Sequence, residues 1–146
     1  MTCEIKDPLS IASVYLWVGF VCAISFMESW LKFKAPGVDI PTGLGIGRLV
    51  FSTLNKVEWF FAVAIVFSMF ISKSNLFMLQ NLAFFFPILA LMLQTFWLLP
   101  VLDHRAQLLI RGESVQPSNI HFYYIVLEML KVGSLIIFSI KLFRDH

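Results

Sequence analysis

The sequence predicts an all-α protein, an integral membrane four-helix bundle, and three observations carry that expectation. The chain of 146 residues is 59% hydrophobic and only 14% charged. Its mean hydropathy is +0.84. The apolar residues also gather in runs of roughly 20 that are apolar on every face, whereas a helix at a protein–water surface carries charge on one side. Four such runs and their connections use nearly the whole chain, which leaves room for one domain.

Span one is expected over about residues 9–34, opened by Pro8 and Ser10 and stopped by Pro36. Glu4, Asp7 and Pro8 stand where a signal peptide carries a basic segment, and no small-x-small cleavage site follows, so this span is expected to remain in the mature protein. Residues 35–47 hold Pro36, Pro41, Gly37, Gly43, Gly45 and Gly47, a density of breakers that reads as a long loop. Span two follows over about 48–71, with Ser52, Thr53, Asn55, Lys56 and Glu58 in its first half. After the short turn Ser72–Asn75, span three is expected over about 76–102, with a kink at Pro87 and an end at Pro100 and Asp103-His104-Arg105. A second long loop reaches Asn119, and span four runs over about 120–143 with Ser118 or Asn119 as its N-cap.

Both long loops then lie on one side of the membrane, and the short turn and both termini on the other. Lys32, Lys34, Arg48, Arg105 and Arg111 flank the long-loop side, against Lys6, Lys73, Lys141 and Arg144 on the other. Five against four is too small a bias to fix orientation by the positive-inside rule. The expected setting is a multi-pass protein of the cell membrane with the lipid bilayer as its first partner. A net charge of +2 without a basic run excludes nucleic acid. Cys3 and Cys22 are too far apart along a helix for an intrachain disulfide.

An ionisable group inside a span needs a partner, a cavity or a function. Glu28 on span one, Arg48, Asn55 and Glu58 on span two, Gln94 on span three, and His121, Glu128 and Lys131 on span four all fall in the long-loop half, with His104 at the exit of span three. By helical rise Glu58, Gln94 and Glu128 lie about 12–15 Å in from the long-loop ends of their spans, a shared depth that permits one polar layer. Arg48 and Asn55, like His121 and Glu128, are seven apart and share a face, while Glu128 and Lys131 are three apart and are expected to form a neutral buried pair. Such a layer is either a structural network that pins helix packing or the binding site of a small ligand or ion. No metal site is expected, because the Glu-x-x-His spacing of di-metal bundles is missing around Glu28, Glu58, His104, His121 and Glu128. Gly43-x-Gly45-x-Gly47 lacks the Lys-Ser/Thr ending of a phosphate loop and reads as a flexible segment. Trp17, Trp30, Trp59 and Trp97 read partly as interfacial anchors. No cofactor is specified.

Two resemblances follow from these residues. The stretch Phe20 to Phe51, with its Pro-Gly loop and Gly47-Arg48-Leu49-Val50-Phe51 re-entry, together with Pro100-x-x-Asp103-x-Arg105, Ile120-His121 and Glu128, resembles the uncharacterised four-span family that includes vertebrate transmembrane protein 205. That resemblance implies a fold and little chemistry. Arg48, Asn55 and Glu58 followed by Trp59-Phe60 are similar to the span-two motif of the membrane-associated eicosanoid and glutathione enzymes, in which those residue types hold glutathione between subunits of a trimer. This chain departs from that motif with Gly47 in place of its Glu, with Lys56, and with Glu128 and Lys131 on span four. The expected function is thus a membrane protein with a buried polar site for a small ligand or ion. A glutathione-dependent transferase or isomerase, a transporter or channel, and an accessory subunit held by a homo-oligomer or membrane complex stay open beside it.

Overall fold

The computed structural model describes residues 7–73 and 81–143. Among them lie four helical rods and no strand: α1 (Pro8–Lys34), α2 (Ile40–Ile71), α3 (Leu82–Ile110) and α4 (Ile120–Phe143). The expected start of span three at Leu76, Ser74 and Asn75 of the short turn, Cys3, Lys6 and Arg144 lie outside the described residues.

α1 starts where Asp7 accepts hydrogen bonds from the Ser10 backbone N–H at 3.2 Å and the Ser10 hydroxyl at 2.7 Å, with Pro8 in the first turn. The same carboxylate accepts from the Ser68 hydroxyl, and from the Ser72 hydroxyl at 3.5 Å, tying the start of α1 to the end of α2. Within α1, Cys22–Glu28 is wound as π-helix before a short α turn and a 3₁₀ turn at Lys32–Lys34.

α2 begins at Ile40, ahead of the expected Arg48, so the glycines at 43, 45 and 47 are helical and not loop. Two local features explain the correction. Asp39 caps the helix by accepting from the Thr42 N–H at 2.9 Å, and Pro41 occupies the first turn, where its missing donor has no intrahelical acceptor to lose. Hydrogen bonds from the Thr42 side chain and backbone hold the Asp39 carboxyl below the ordinary carboxylate range. Gly43 and Gly47, four apart on one face, let α1 come close: a Cβ at Gly43 would run into the Phe33 ring, and one at Gly47 would stand 2.9 Å from the Lys32 ammonium.

α3 also runs past its expected end. Pro87 lies in the first turn of the α segment Phe85–Leu93, directly after a 3₁₀ turn at Leu82–Phe84, and a second departure from α geometry comes at the π segment Gln94–Leu98. That wider turn precedes Pro100, which would otherwise crowd the carbonyl four residues before it. The helix continues through Asp103-His104-Arg105 to Ile110. α4 keeps its expected bounds, and its Ile120 N–H donates to the Ser118 hydroxyl at 3.3 Å.

α1 packs on α2 and α4, and α3 packs on the same two. The pairing runs antiparallel throughout. Lys32 and Phe33 lie against Gly47 and Gly43 while Asp7 meets Ser68 and Ser72. Asp103 meets Arg48, Thr95 meets Asn55, Gln94 meets Glu128, Phe84 meets Phe138, and Tyr15 meets Ser139 and Phe143. One end of the assembly therefore carries the α1–α2 and α3–α4 connections, and is called the long-loop end although the early start of α2 shortens the first of them to residues 35–39.

Toward the short-turn end the interior is apolar: Val14, Val21, Ile65, Met69, Phe84, Leu91, Leu135 and Phe138 are buried in one cluster. The outward face is apolar too, with Leu49 74%, Phe70 80% and Phe96 73% exposed. A protein in water does not leave so many large apolar side chains exposed, whereas hydrocarbon accepts them. Pro8–Lys34, Ile40–Ile71 and Leu82–Ile110 are long and apolar enough to cross a membrane, each holding an 18-residue stretch whose mean hydropathy is 2.0, 1.6 and 2.1 respectively.

Candidate functional site

All four helices send polar side chains to one level near the middle of the molecule. Glu58 of α2, Gln94 of α3, and Glu128 and Lys131 of α4 are each fully buried. The Lys131 ammonium donates to Glu58 Oε2, to Gln94 Oε1 at 2.5 Å and to Glu128 Oε1 at 2.9 Å, which uses its three N–H groups. Gln94 Nε2 donates to Glu128 Oε1 at 2.5 Å, and α1 adds the Ser25 hydroxyl to Glu128 Oε2 at 3.3 Å and the Trp17 indole N–H to Glu58 Oε2 at 2.7 Å. Glu128 and Lys131 are therefore not an isolated pair: two carboxyl groups share one ammonium, because Glu58 enters from the facing helix. Glu58 Oε1 has no hydrogen-bond partner among the described residues.

The π segments serve this level. Ser25 lies inside Cys22–Glu28, and Gln94 opens Gln94–Leu98. An extra residue in a turn rotates the side chains that follow, which is why such segments gather at polar sites in otherwise regular helices. Toward the long-loop end, Thr95 from the second π segment receives the Asn55 amide and the Trp59 indole N–H, both at 2.9 Å, and returns its own hydroxyl to Leu91 O at 2.7 Å. Tyr124 of α4 is 2% exposed and packs edge-on against Phe51.

Beyond this floor a cavity of about 540 Å³ opens between the four helices. Ser29, Lys32 and Phe33 line it from α1, Arg48, Phe51 and Lys56 from α2, Leu99, Asp103 and Ala106 from α3, and His121 and Tyr124 from α4. Its size falls within the range of small-molecule sites, which run to roughly 300–1,000 Å³. Arg48 is held bidentately on Asp103, Nε at 2.5 Å and Nη2 at 3.2 Å, and Gln107 donates to the same carboxylate at 2.8 Å. Lys32 reaches Glu28 at 3.4 Å and lies 5.5 Å from the centres of both the Phe33 and Phe51 rings.

The residues singled out in the sequence thus divide. Glu58, Gln94, Glu128 and Lys131 form the buried cluster. Arg48, Asn55 and His121 line the cavity above it, and Glu28 pairs with the lining Lys32 without lining the cavity itself. His104 is exposed and stands outside the lining.

Trp17 is a correction: it is no interfacial anchor but a fully buried donor to Glu58, unlike Trp30 and Trp97, which are about half exposed. Its place near the middle of the first apolar run was the available signal, since anchoring tryptophans sit at the ends of spans. Ser25, Lys32, Thr95 and Tyr124 were also passed over. Thr95 directly follows Gln94, and Tyr124 lies one helical turn from both His121 and Glu128, whereas a lysine at a helix end reads by default as reaching for water. No protein-family model, no curated protein and no solved structure matches this chain.

Proposed function

We propose that the chain is a four-span protein of the cell membrane whose long-loop half binds a small molecule in the cavity between its helices. One observation carries this reading: a cavity of about 540 Å³ is lined from all four helices, and its lining residues Asn55, Thr95 and Tyr124 lie within about one helical turn of Glu58, Gln94 and Glu128 in the fully buried polar cluster. α4 is 24 residues long and crosses the membrane with the others, its Glu128 and Lys131 sheltered among polar partners and not turned to lipid. Membership of the four-span family around vertebrate transmembrane protein 205 fits the same arrangement.

The glutathione reading has less support. Arg48 and Asn55 do line the cavity, but Glu58, the third member of that motif, points into the cluster toward Trp17 and Lys131. A site inside one copy of the chain makes no use of a neighbouring subunit.

The test has two parts. Maleimide labels on cysteines introduced at Gly112 and at Lys73 are expected to react from opposite faces of sealed vesicles; reaction from one face removes the four-span arrangement. Mass spectrometry of protein purified in mild detergent is expected to find a small-molecule adduct that Ala106→Trp, which fills the cavity, does not retain. Equal adduct in both proteins, or none in either, overturns the binding reading.

A further inference from the structure

The charges around the cavity narrow the class of molecule that fits it. Lys32, Arg48 and Lys56 face it against the single carboxylate of Asp103, and that carboxylate is already engaged twice by Arg48. Lys32 is the telling group. Its side chain is only 9% exposed, yet its one carboxylate partner among the described residues is Glu28, at 3.4 Å. An ammonium has three N–H donors, and the two aromatic rings beside this one, Phe33 and Phe51, offer faces and no lone pairs. A buried ammonium so thinly matched is poised for an acceptor from the cavity side. Most of the remaining wall surface is apolar, with Phe33, Phe51 and Leu99 prominent in it, while Ser29, Asn55, Thr95 and His121 add polar groups. A surplus of cationic side chains beside a mainly hydrocarbon wall is the complement of a molecule with an anionic head and an apolar tail.

We infer that the cavity takes a single-chain anionic amphiphile from the bilayer, with its carboxylate or phosphate head on Lys32 and its chain along Phe33, Phe51 and Leu99. The inference rests on the binding reading above and names its ligand class. Lys56 is exposed at the cavity's edge and adds attraction without a fixed contact. Arg48 stays on Asp103 and shapes the wall. A cationic or neutral amphiphile of the same length fills the apolar part and leaves the Lys32 ammonium as poorly matched as before, so it binds more weakly.

The experiment is equilibrium binding of tritiated laurate to the detergent-purified full chain. Dodecyl phosphate, dodecyltrimethylammonium and butyrate serve as competitors. Laurate and dodecyl phosphate are expected to compete and dodecyltrimethylammonium is not. Lys32→Gln is expected to weaken laurate binding about tenfold, Lys32→Arg to retain it, and Lys56→Gln, at an exposed position that does not affect folding, to weaken it about threefold. If Lys32→Gln fails to fold, the Lys56→Gln result and the competitor series still decide.

Equal competition by dodecyltrimethylammonium, or unchanged binding to both lysine variants, overturns the anionic head. Butyrate competing as well as laurate overturns the tail and makes the ligand a water-soluble anion. In each of those cases loss of binding in Ala106→Trp keeps the cavity as the site. Laurate binding that Ala106→Trp leaves intact means that the cavity reading itself has failed.

Discussion

The two halves of the molecule are built from the same four helices and solve opposite problems. Toward the short turn, Phe84 stacks on Phe138 with ring centres 5.2 Å apart, Ile65, Leu91 and Leu135 are fully buried, and the interior is filled with hydrocarbon. Toward the long loops the helices part around a cavity, and polar side chains that could have closed it are spent on one another: Arg48 on Asp103, Asn55 and Trp59 on Thr95. The buried cluster of Glu58, Gln94, Glu128 and Lys131 is the seam between them. A packed half can hold a hollow half open only if the seam is rigid. Lys131, which binds three side chains from three helices, supplies that rigidity.

The sharpest way to break this comparison is to remove the seam's only cation. Lys131→Met leaves Glu58 and Glu128 buried together with no counter-charge, and stripping one partner from a buried pair typically costs roughly 3–5 kcal/mol per stranded charge. Glu58→Gln removes the surplus negative charge and keeps the shape, with an amide oxygen still able to accept from Lys131 and Trp17, so its cost should stay below about 1–2 kcal/mol. Apparent Tm in a neutral detergent measures both. If Glu58→Gln is as damaging as Lys131→Met, charge balance does not hold the seam together.

A smaller effect separates the two halves directly. Phe138→Ala, in the packed half, opens a void among residues that are themselves fully buried and should cost roughly 3–5 kcal/mol. Leu99→Ala, on the wall of the cavity, removes contacts from a side chain that already faces open space and should cost about 1 kcal/mol. The same Tm series checks the pair. Equal losses would mean that the long-loop half is as tightly packed as the other and that the cavity has no structural meaning.

The depth of the polar layer was legible in the sequence because it depends only on helical rise: Glu58, Gln94 and Glu128 stand at similar distances from the long-loop ends of their helices. Its wiring was not legible. A three-residue spacing makes Lys131 and Glu128 neighbours, but only tertiary packing brings Glu58 to the same ammonium. Helix boundaries failed where a local rule met a tertiary one. Pro41 and the glycines after it read as breakers, yet a proline in a first turn and glycines four apart on a contact face are what a close-packed helix start uses. Pro100 read as an ending because nothing in the local pattern announces the π segment that precedes it. Lys32 is not legible as a site residue because its enclosure depends on tertiary neighbours, Gly47 and Phe51 of α2.

Those glycines give the smallest and most selective probe of the hollow half. Gly43→Ala and Gly45→Ala make the same chemical change on the same helix, and each gains up to about 1 kcal/mol from better helix propensity. They differ in what the new methyl meets. At Gly45 nothing lies within 4 Å, so the propensity gain stands and the variant should be as stable as the parent or slightly more so. At Gly43 the methyl runs into the far end of the Phe33 ring, which is 40% exposed and must swing aside, so the cost sits at the low end of the roughly 1–3 kcal/mol of overpacking and cancels the gain. Phe33 also lines the cavity, so the displaced ring should alter binding of the proposed amphiphile as well as hold Tm below that of Gly45→Ala. Gly45→Ala should leave binding unchanged within error. Identical behaviour of the two variants would mean that α1 and α2 do not approach through Gly43, and would remove the wall that Phe33 contributes to the cavity.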